Sequence, residues 1–241
     1  NDYIRTKING KLYRLSSRRL GSDEFNTLVS KIYGAPTVLS KLNAAEPVDL
    51  SYIIRRDDFT MRFRVSMLGA SAKDGDGDKI VTRTISDTPP ELDKEIPEEI
   101  IDCFNISGGG LILIVGATGS GKSTLIASII KNKLLNPNIH VHIISYEAPI
   151  EYSFDKVPQK QSFIDQVEVP RHVNSFKVAV ENALRSAPDD IFVGEMRDTA
   201  TIKSGIDVCK MGHLVYSTMH VNGVSDTIKR ITSIFGSDER R

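Results

Sequence analysis

The sequence predicts an α/β protein in two parts: a small α+β portion, then an open, mostly parallel sheet organised around a phosphate-binding loop. Three observations carry this. Gly116-Ala117-Thr118-Gly119-Ser120-Gly121-Lys122-Ser123 fits G-x-x-x-x-G-K-[ST] in full, with an apolar run before it and a helical pattern after it. The runs "LILIV", "HVHIIS", "IFVG" and "LVYST" are continuously apolar and alternate with helical patterns, as suits parallel strands buried on both faces. The first ~90 residues instead read as mixed α and β, with period-two alternation in "VDLSYIIR" and "FTMRFRVSM".

Taken in order, "YIRTKINGKLYRL" places Asn9-Gly10 between two alternating runs, a tight-hairpin signal. "SDEFNTLVSKIYG" reads as a helix capped by Ser22 and ended by Gly34, with Phe25, Leu28, Val29, Ile32 and Tyr33 at helical spacing. "VDLSYIIR", "FTMRFRVSM" and "KIVTRTIS" read as strands. In the second, Phe59, Met61, Phe63, Val65 and Met67 face one way, while Arg62 and Arg64 face the other; the third strand carries Arg83. The turn "KDGDGDK" hints at a calcium loop. Lys79 stands where that loop needs Gly, and Ile85 where it needs Glu, so a solvated hairpin turn is the reading. The boundaries that follow are an N-terminal domain over 1–86, a linker over 87–92 stiffened by Pro89-Pro90, and a C-terminal domain over 93–241. Helices are expected at about Lys122–Leu135, Ser175–Arg185 and Thr199–Met211, and a ligand at the carboxyl ends of the strands.

Composition narrows the classes. Of 241 residues, 40% are apolar and 26% charged, with Lys plus Arg and Asp plus Glu both at 31. The absence of a basic surplus argues against a general nucleic-acid binder. Cys103 and Cys209 form no metal-like pair and sit in apolar settings, so both are expected as buried free thiols in a reducing compartment. No apolar run approaches the ~18 residues of a membrane span, and the N-terminus lacks an apolar signal core. The expected setting is cytoplasmic.

The glycines of the loop let successive N–H groups of Gly116, Ala117, Thr118, Gly119, Ser120 and Gly121 turn toward phosphate oxygens. The helix beginning at Lys122 adds its positive end. Lys122 is expected on the β- and γ-phosphates of ATP, Ser123 on Mg²⁺, and Thr124 closing the first turn. Hydrolysis further needs one acid to orient water and another beside the metal. Glu147 and Glu195 each follow an apolar strand. They are read as water-orienting base and magnesium-side acid, the other reading being plain surface carboxylates. His213 and His220 flank one strand at opposite ends, which rules out a shared metal; His220, at the carboxyl end, is a candidate γ-phosphate sensor.

Taken together, these boxes resemble those of the PilT-like secretion and pilus ATPases, the traffic ATPases of type II and type IV secretion systems. "GATGSGKST" matches their Walker A box, "SYEAPIEY" their acidic box, "PDDIFVGEMRD" their Walker B box (with Gly before Glu195 where most P-loop enzymes have Asp), and "GHLVYSTMHVNG" their His box. "INGKLYRL", "VDLSY" and "RFRVSM…TRTIS" match the N-terminal half, so the resemblance spans nearly the whole chain, and its nearest branch is the Dot/Icm-like, type IVB one.

The resemblance implies a RecA-like P-loop ATPase domain behind a PAS-like N-terminal domain. It implies Glu147 as general base, Glu195 as Walker B acid, and His220 as the His-box histidine. Arg62, Arg64 and Arg83 match basic positions that approach nucleotide in the same or a neighbouring subunit. It further implies a homo-oligomer, a hexameric ring, driven by ATP and Mg²⁺. Its partners would be inner-membrane or cytoplasmic secretion components, with recruitment to the cytoplasmic face of the inner membrane, peripheral membrane association and no direct nucleic acid. The domains would swing on Thr88–Leu92 as the γ-phosphate draws in the arginines. Two departures stand out. Ala148 replaces the acid that follows the base in the family, leaving Glu147 alone or assisted by Glu151, and relatives continue past Arg241. The alternatives are a pilus-retraction or plasmid-transfer ATPase and a nucleotide-dependent assembly scaffold that scarcely hydrolyses. A dinucleotide oxidoreductase is unsupported, because G-x-G-x-x-G is lacking.

Overall fold

The computed structural model describes residues 4–9, 11–57, 59–72, 75–85 and 88–235. Two units result, Asn1–Ile85 and Ser86–Arg241.

In the first unit, β1 (Arg5–Ile8) and β2 (Lys11–Arg14) form an antiparallel hairpin, with Arg5 opposite Arg14. Asn9 turns at φ 49; Gly10, the other expected turn residue, lies outside the described residues. α1 runs Ser22–Tyr33 and ends at Gly34, whose φ of 90 is the left-handed geometry the sequence suggested. The start differs by one residue. Gly21 is the cap and Ser22 the first helical residue, because the Glu24 carboxylate accepts the Gly21 N–H at 3.1 Å and takes over the capping task. α2 (Thr37–Asn43) follows Pro36. β3 (Val48–Arg55), β4 (Thr60–Ala72) and β5 (Gly75–Ile85) form an antiparallel sheet in chain order. Val29, Val38 and Leu42 from the helices pack with Val48, Leu50, Val65 and Met67 from one sheet face. β5 begins at Gly75, so most of the acidic turn belongs to the strand, with Asp78 opposite Gly69; Lys73 and Asp74 lie outside the described residues.

In the second unit the elements are α3 (Glu98–Cys103), β6 (Gly110–Val115), α4 (Lys122–Leu135), β7 (His142–Glu147), β8 (Phe163–Glu168), α5 (Phe176–Ala183), β9 (Asp190–Val193), α6 (Thr199–Lys210), β10 (Leu214–Met219) and α7 (Val224–Ile234). The strands pair in parallel in the order β6-β10-β9-β7-β8. Both faces are covered. On one side Ile126, Ile129, Ile130 and Leu134 of α4 pack with Ile143, Phe192 and Tyr216. On the other, Val180 and Ala183 of α5 and Ile202 and Val208 of α6 pack with Ile144, Ile191 and Val215. Neighbours such as Ile143 and Ile144 thus enter opposite layers, which is why the strand sequences are apolar throughout. Each fully buried Ile or Leu contributes roughly 1.5–3 kcal/mol.

The stretch read as a linker is held to this unit. The Lys131 ammonium donates to the Pro89 carbonyl at 3.0 Å and to Glu91 at 2.5 Å, and Leu92 packs on the α4 side of the core. The expectation of two buried thiols fails. Cys103 is exposed, because α3 is a short acidic helix that buries none of its residues, and Cys209 on α6 is half-buried. Among the described residues no helix is long and apolar enough to cross a membrane.

Candidate nucleotide site

Parallel pairing brings four strand ends to one edge. Val115 is level with Met219, Ser217 with Val193, and Val193 with Tyr146. The next residues of each strand, Gly116, His220, Gly194-Glu195 and Glu147, therefore emerge side by side.

The loop leaves β6 and enters α4 through Gly119 at φ 78 and Gly121 at φ 88, a backbone region that disfavours any Cβ. Buried Lys122 folds its ammonium back over the loop, donating to the carbonyls of Gly116 at 2.9 Å and Ala117 at 2.8 Å. His220 Nδ1 lies 3.4 Å from both Lys122 Nζ and Thr118 Oγ1. Its Nε2 is 3.7 Å from Glu195, whose other oxygen accepts from Arg197 Nε at 2.7 Å. Lys122, Thr118, His220 and Glu195 are thus brought together. His213 sits at the far end of β10, with Nδ1 2.8 Å from the Pro188 carbonyl. Among the described residues no three His, Cys, Asp or Glu side chains cluster as a metal site. The sequence-based candidates for Mg²⁺ are the Ser123 hydroxyl and the Glu195 carboxylate, both oxygen donors of the kind magnesium takes together with phosphate and water.

Glu147 closes β7 and is buried. Its Oε1 accepts from Ser145 Oγ at 2.9 Å and Gln166 Nε2 at 3.2 Å, and its Oε2 from the Glu151 N–H at 3.2 Å. Burial raises its pKa to about 7, with those hydrogen bonds pulling the other way. Glu147 touches the loop only indirectly, since the residue after Glu151, Tyr152, meets Thr124 of α4 at 3.0 Å between hydroxyls.

Gly194 explains the missing aspartate before Glu195. Its N–H donates to the Tyr146 carbonyl at 2.7 Å. A Cβ there would stand 3.3 Å from both the Glu147 Cα and that carbonyl oxygen. That is a few tenths of an ångström too close, and a backbone held in strand pairing yields less readily than a side-chain tip, so Gly194→Ala is expected to cost about 1–3 kcal/mol. A thermal melt, falling by about 2–4 °C per kcal/mol at this chain length, measures it.

Arg62, Arg64 and Arg83 lie in the first unit. Arg64 and Arg83 are register partners, and Arg62, two residues before Arg64, shares their sheet face. Arg83 is exposed, whereas Arg62 is buried and its Nε has no hydrogen-bond partner among the described residues. Sequence reasoning missed Ser145, Tyr152, Gln166 and Arg197. Ser145 had a signal, since a hydroxyl two residues before Glu147 in a strand shares its face. Gln166 had none, because β8 meets β7 only in the folded sheet.

A glycine loop between a strand and a helix, at the carboxyl edge of a five-stranded parallel sheet, defines a RecA-like P-loop fold, here preceded by a smaller α+β unit. The chain belongs to the Type II/IV secretion system protein family, whose pattern covers residues 2–239. It is 32% identical over 234 residues to a twitching motility protein of Neisseria gonorrhoeae, covering 97% of this chain and 59% of that one. Its fold matches the ATPase DotB of Legionella pneumophila with a TM-score of 0.92 and 35% identity, over 99% of this chain and 64% of that one. The pilus retraction motor PilT, solved with bound ADP, matches with a TM-score of 0.80 and 34% identity, over 98% and 65%. The chain therefore spans about six tenths of the length of these relatives.

Proposed function

We propose that this chain is the ATP-hydrolysing part of a homo-oligomeric, hexameric motor that energises a type IVB, Dot/Icm-like secretion system from the cytoplasmic face of the inner membrane. One observation carries the reading: the phosphate-loop lysine, His220 and two strand-end carboxylates share one sheet edge. In this reading the loop N–H groups and Lys122 hold the β- and γ-phosphates. Ser123 and Glu195 hold Mg²⁺, which supplies charge neutralisation at the phosphate oxygens. His220, between Lys122 and Glu195, reports the γ-phosphate to the Walker B acid. Glu147 accepts a proton from the attacking water. Arg62, whose buried Nε lacks a partner, and its neighbours Arg64 and Arg83 supply positive charge to nucleotide of the same or a neighbouring subunit.

Pilus retraction is a second reading, favoured by the match to PilT and to a twitching motility protein. Expression in hosts lacking either machine's own motor decides between the two: restored effector export supports the first, restored twitching the second. A scaffold that binds ATP without turnover is separated by phosphate release from the purified protein. Steady release that disappears in Lys122→Ala supports the motor, whereas binding without release supports the scaffold.

The base must be ionised to act. With its pKa at about 7, Glu147 is mostly protonated, and inactive, below that pH. Hydrolysis is expected to rise through neutral pH and level off about one unit above, read from the rate at saturating ATP between pH 5.5 and 9.

A further inference from the structure

Gln166 stands on β8 level with Ser145 on β7, so its side chain shares a sheet face with Ser145 and Glu147. Its amide is fully oriented by its partners. Oε1 accepts from the Phe154 N–H at 3.0 Å, while Nε2 donates to the Tyr152 carbonyl at 2.9 Å and to Glu147 Oε1 at 3.2 Å. Flipping the amide would set its oxygen against a carbonyl and a carboxylate, neither of which can donate, so only one orientation serves. Gln166 thereby clips both ends of the 152–154 loop segment to the sheet. The same loop carries the Tyr152 hydroxyl, 3.0 Å from Thr124 Oγ1 in the first turn of α4.

An ionised carboxylate offers about four acceptor positions. Three are taken here, two on Oε1 by Ser145 and Gln166 and one on Oε2 by the Glu151 N–H. The position left lies on Oε2.

We propose that Gln166 is a positioning residue of the hydrolytic reaction: its amide saturates Oε1 of Glu147 so that Oε2 holds the attacking water, and its grip on Tyr152 ties that carboxylate to the phosphate-loop helix. The proposal rests on the reading of Glu147 as base. Beside Ala148, which offers no carboxylate, the side-chain donors to Glu147 are both neutral, Ser145 and Gln166.

The test is Gln166→Leu, which keeps bulk and removes the amide. Hydrogen-bond partners that orient metal ligands typically matter 10–100-fold, and by the same reasoning kcat for ATP is expected to fall about 10- to 100-fold with KM within about two-fold. A lost donor to the ionised form also raises the pKa of a carboxylate, so the acidic limb of the rate profile is expected to move up by about 0.5–1 pH unit. Should this variant fail to fold, Gln166→Met is measured instead. Gln166→Met, unbranched and uncharged, removes the same amide without setting a second carboxylate against Glu147, and it carries the same expectations. An unchanged kcat overturns the proposal, as does a lowered kcat with the acidic limb unmoved. Glu147→Gln, run alongside, separates the two levels: if it still hydrolyses ATP the base assignment fails, and if it is inactive while Gln166→Leu is unaltered only the positioning role fails.

Discussion

Glu147→Gln is expected to slow ATP hydrolysis by about 10²–10⁴-fold while leaving nucleotide binding intact. The side chain keeps its length and its buried place at the end of β7, but one oxygen becomes an amide that cannot take a proton from water. Its neighbours adapt at little cost. The Ser145 hydroxyl and the Gln166 amide still find one acceptor oxygen, and the new NH₂ group displaces only the bond from the Glu151 N–H. A binding isotherm for a non-hydrolysable analogue and a single-turnover hydrolysis trace on the same sample separate the two effects. Loss of binding together with rate would mean that Glu147 holds the site in shape; equal rates would mean that it has no part in the chemistry.

The second large effect concerns stability. Lys133, on α4, is buried with its ammonium donating to the Phe104 carbonyl and to Asp190 Oδ2 at 2.5 Å, while the Tyr216 hydroxyl donates to the same carboxylate oxygen at 3.4 Å. Asp190 begins β9, five residues before Glu195, so the pair pins α4 to the strand that leads into Glu195. Burial pushes the pKa of Asp190 up, with the Lys133 charge opposing. Lys133→Ala leaves that carboxylate without a counter-charge and is expected to cost about 3–5 kcal/mol. The denaturant midpoint of unfolding measures it. Lys133→Met combined with Asp190→Leu removes both charges and is expected to recover most of the loss; a double variant as unstable as the single one would contradict the electrostatic cause.

The residues of the candidate site were legible where their signals are local. The loop glycines, Lys122 and Ser123 declare themselves within eight residues, and Glu147 and Glu195 stand directly after apolar strands whose ends must align. α4, α5 and α6 followed from periodicity and lie within a few residues of their expected bounds. What escaped depends on pairings between distant segments. "FIDQVE" of β8 alternates too weakly to announce a strand, and only its register with β7 sets Gln166 beside Glu147. α2 is seven residues long and α3 six, too short for periodicity to identify. Cys103 looked apolar from its neighbours Ile101 and Phe104, yet its helix buries none of its residues. The three arginines looked equivalent along the chain; the sheet sets Arg83 in solvent and Arg62 out of it.

A structure of the protein with a non-hydrolysable ATP analogue and Mg²⁺ tests the central claim most directly. The account predicts Lys122 on the β- and γ-phosphate oxygens, Ser123 and Glu195 around the cation, and a water between Glu147 Oε2 and the γ-phosphorus. An analogue bound in the loop with Glu147 too far from the γ-phosphate for a single water to bridge would contradict it.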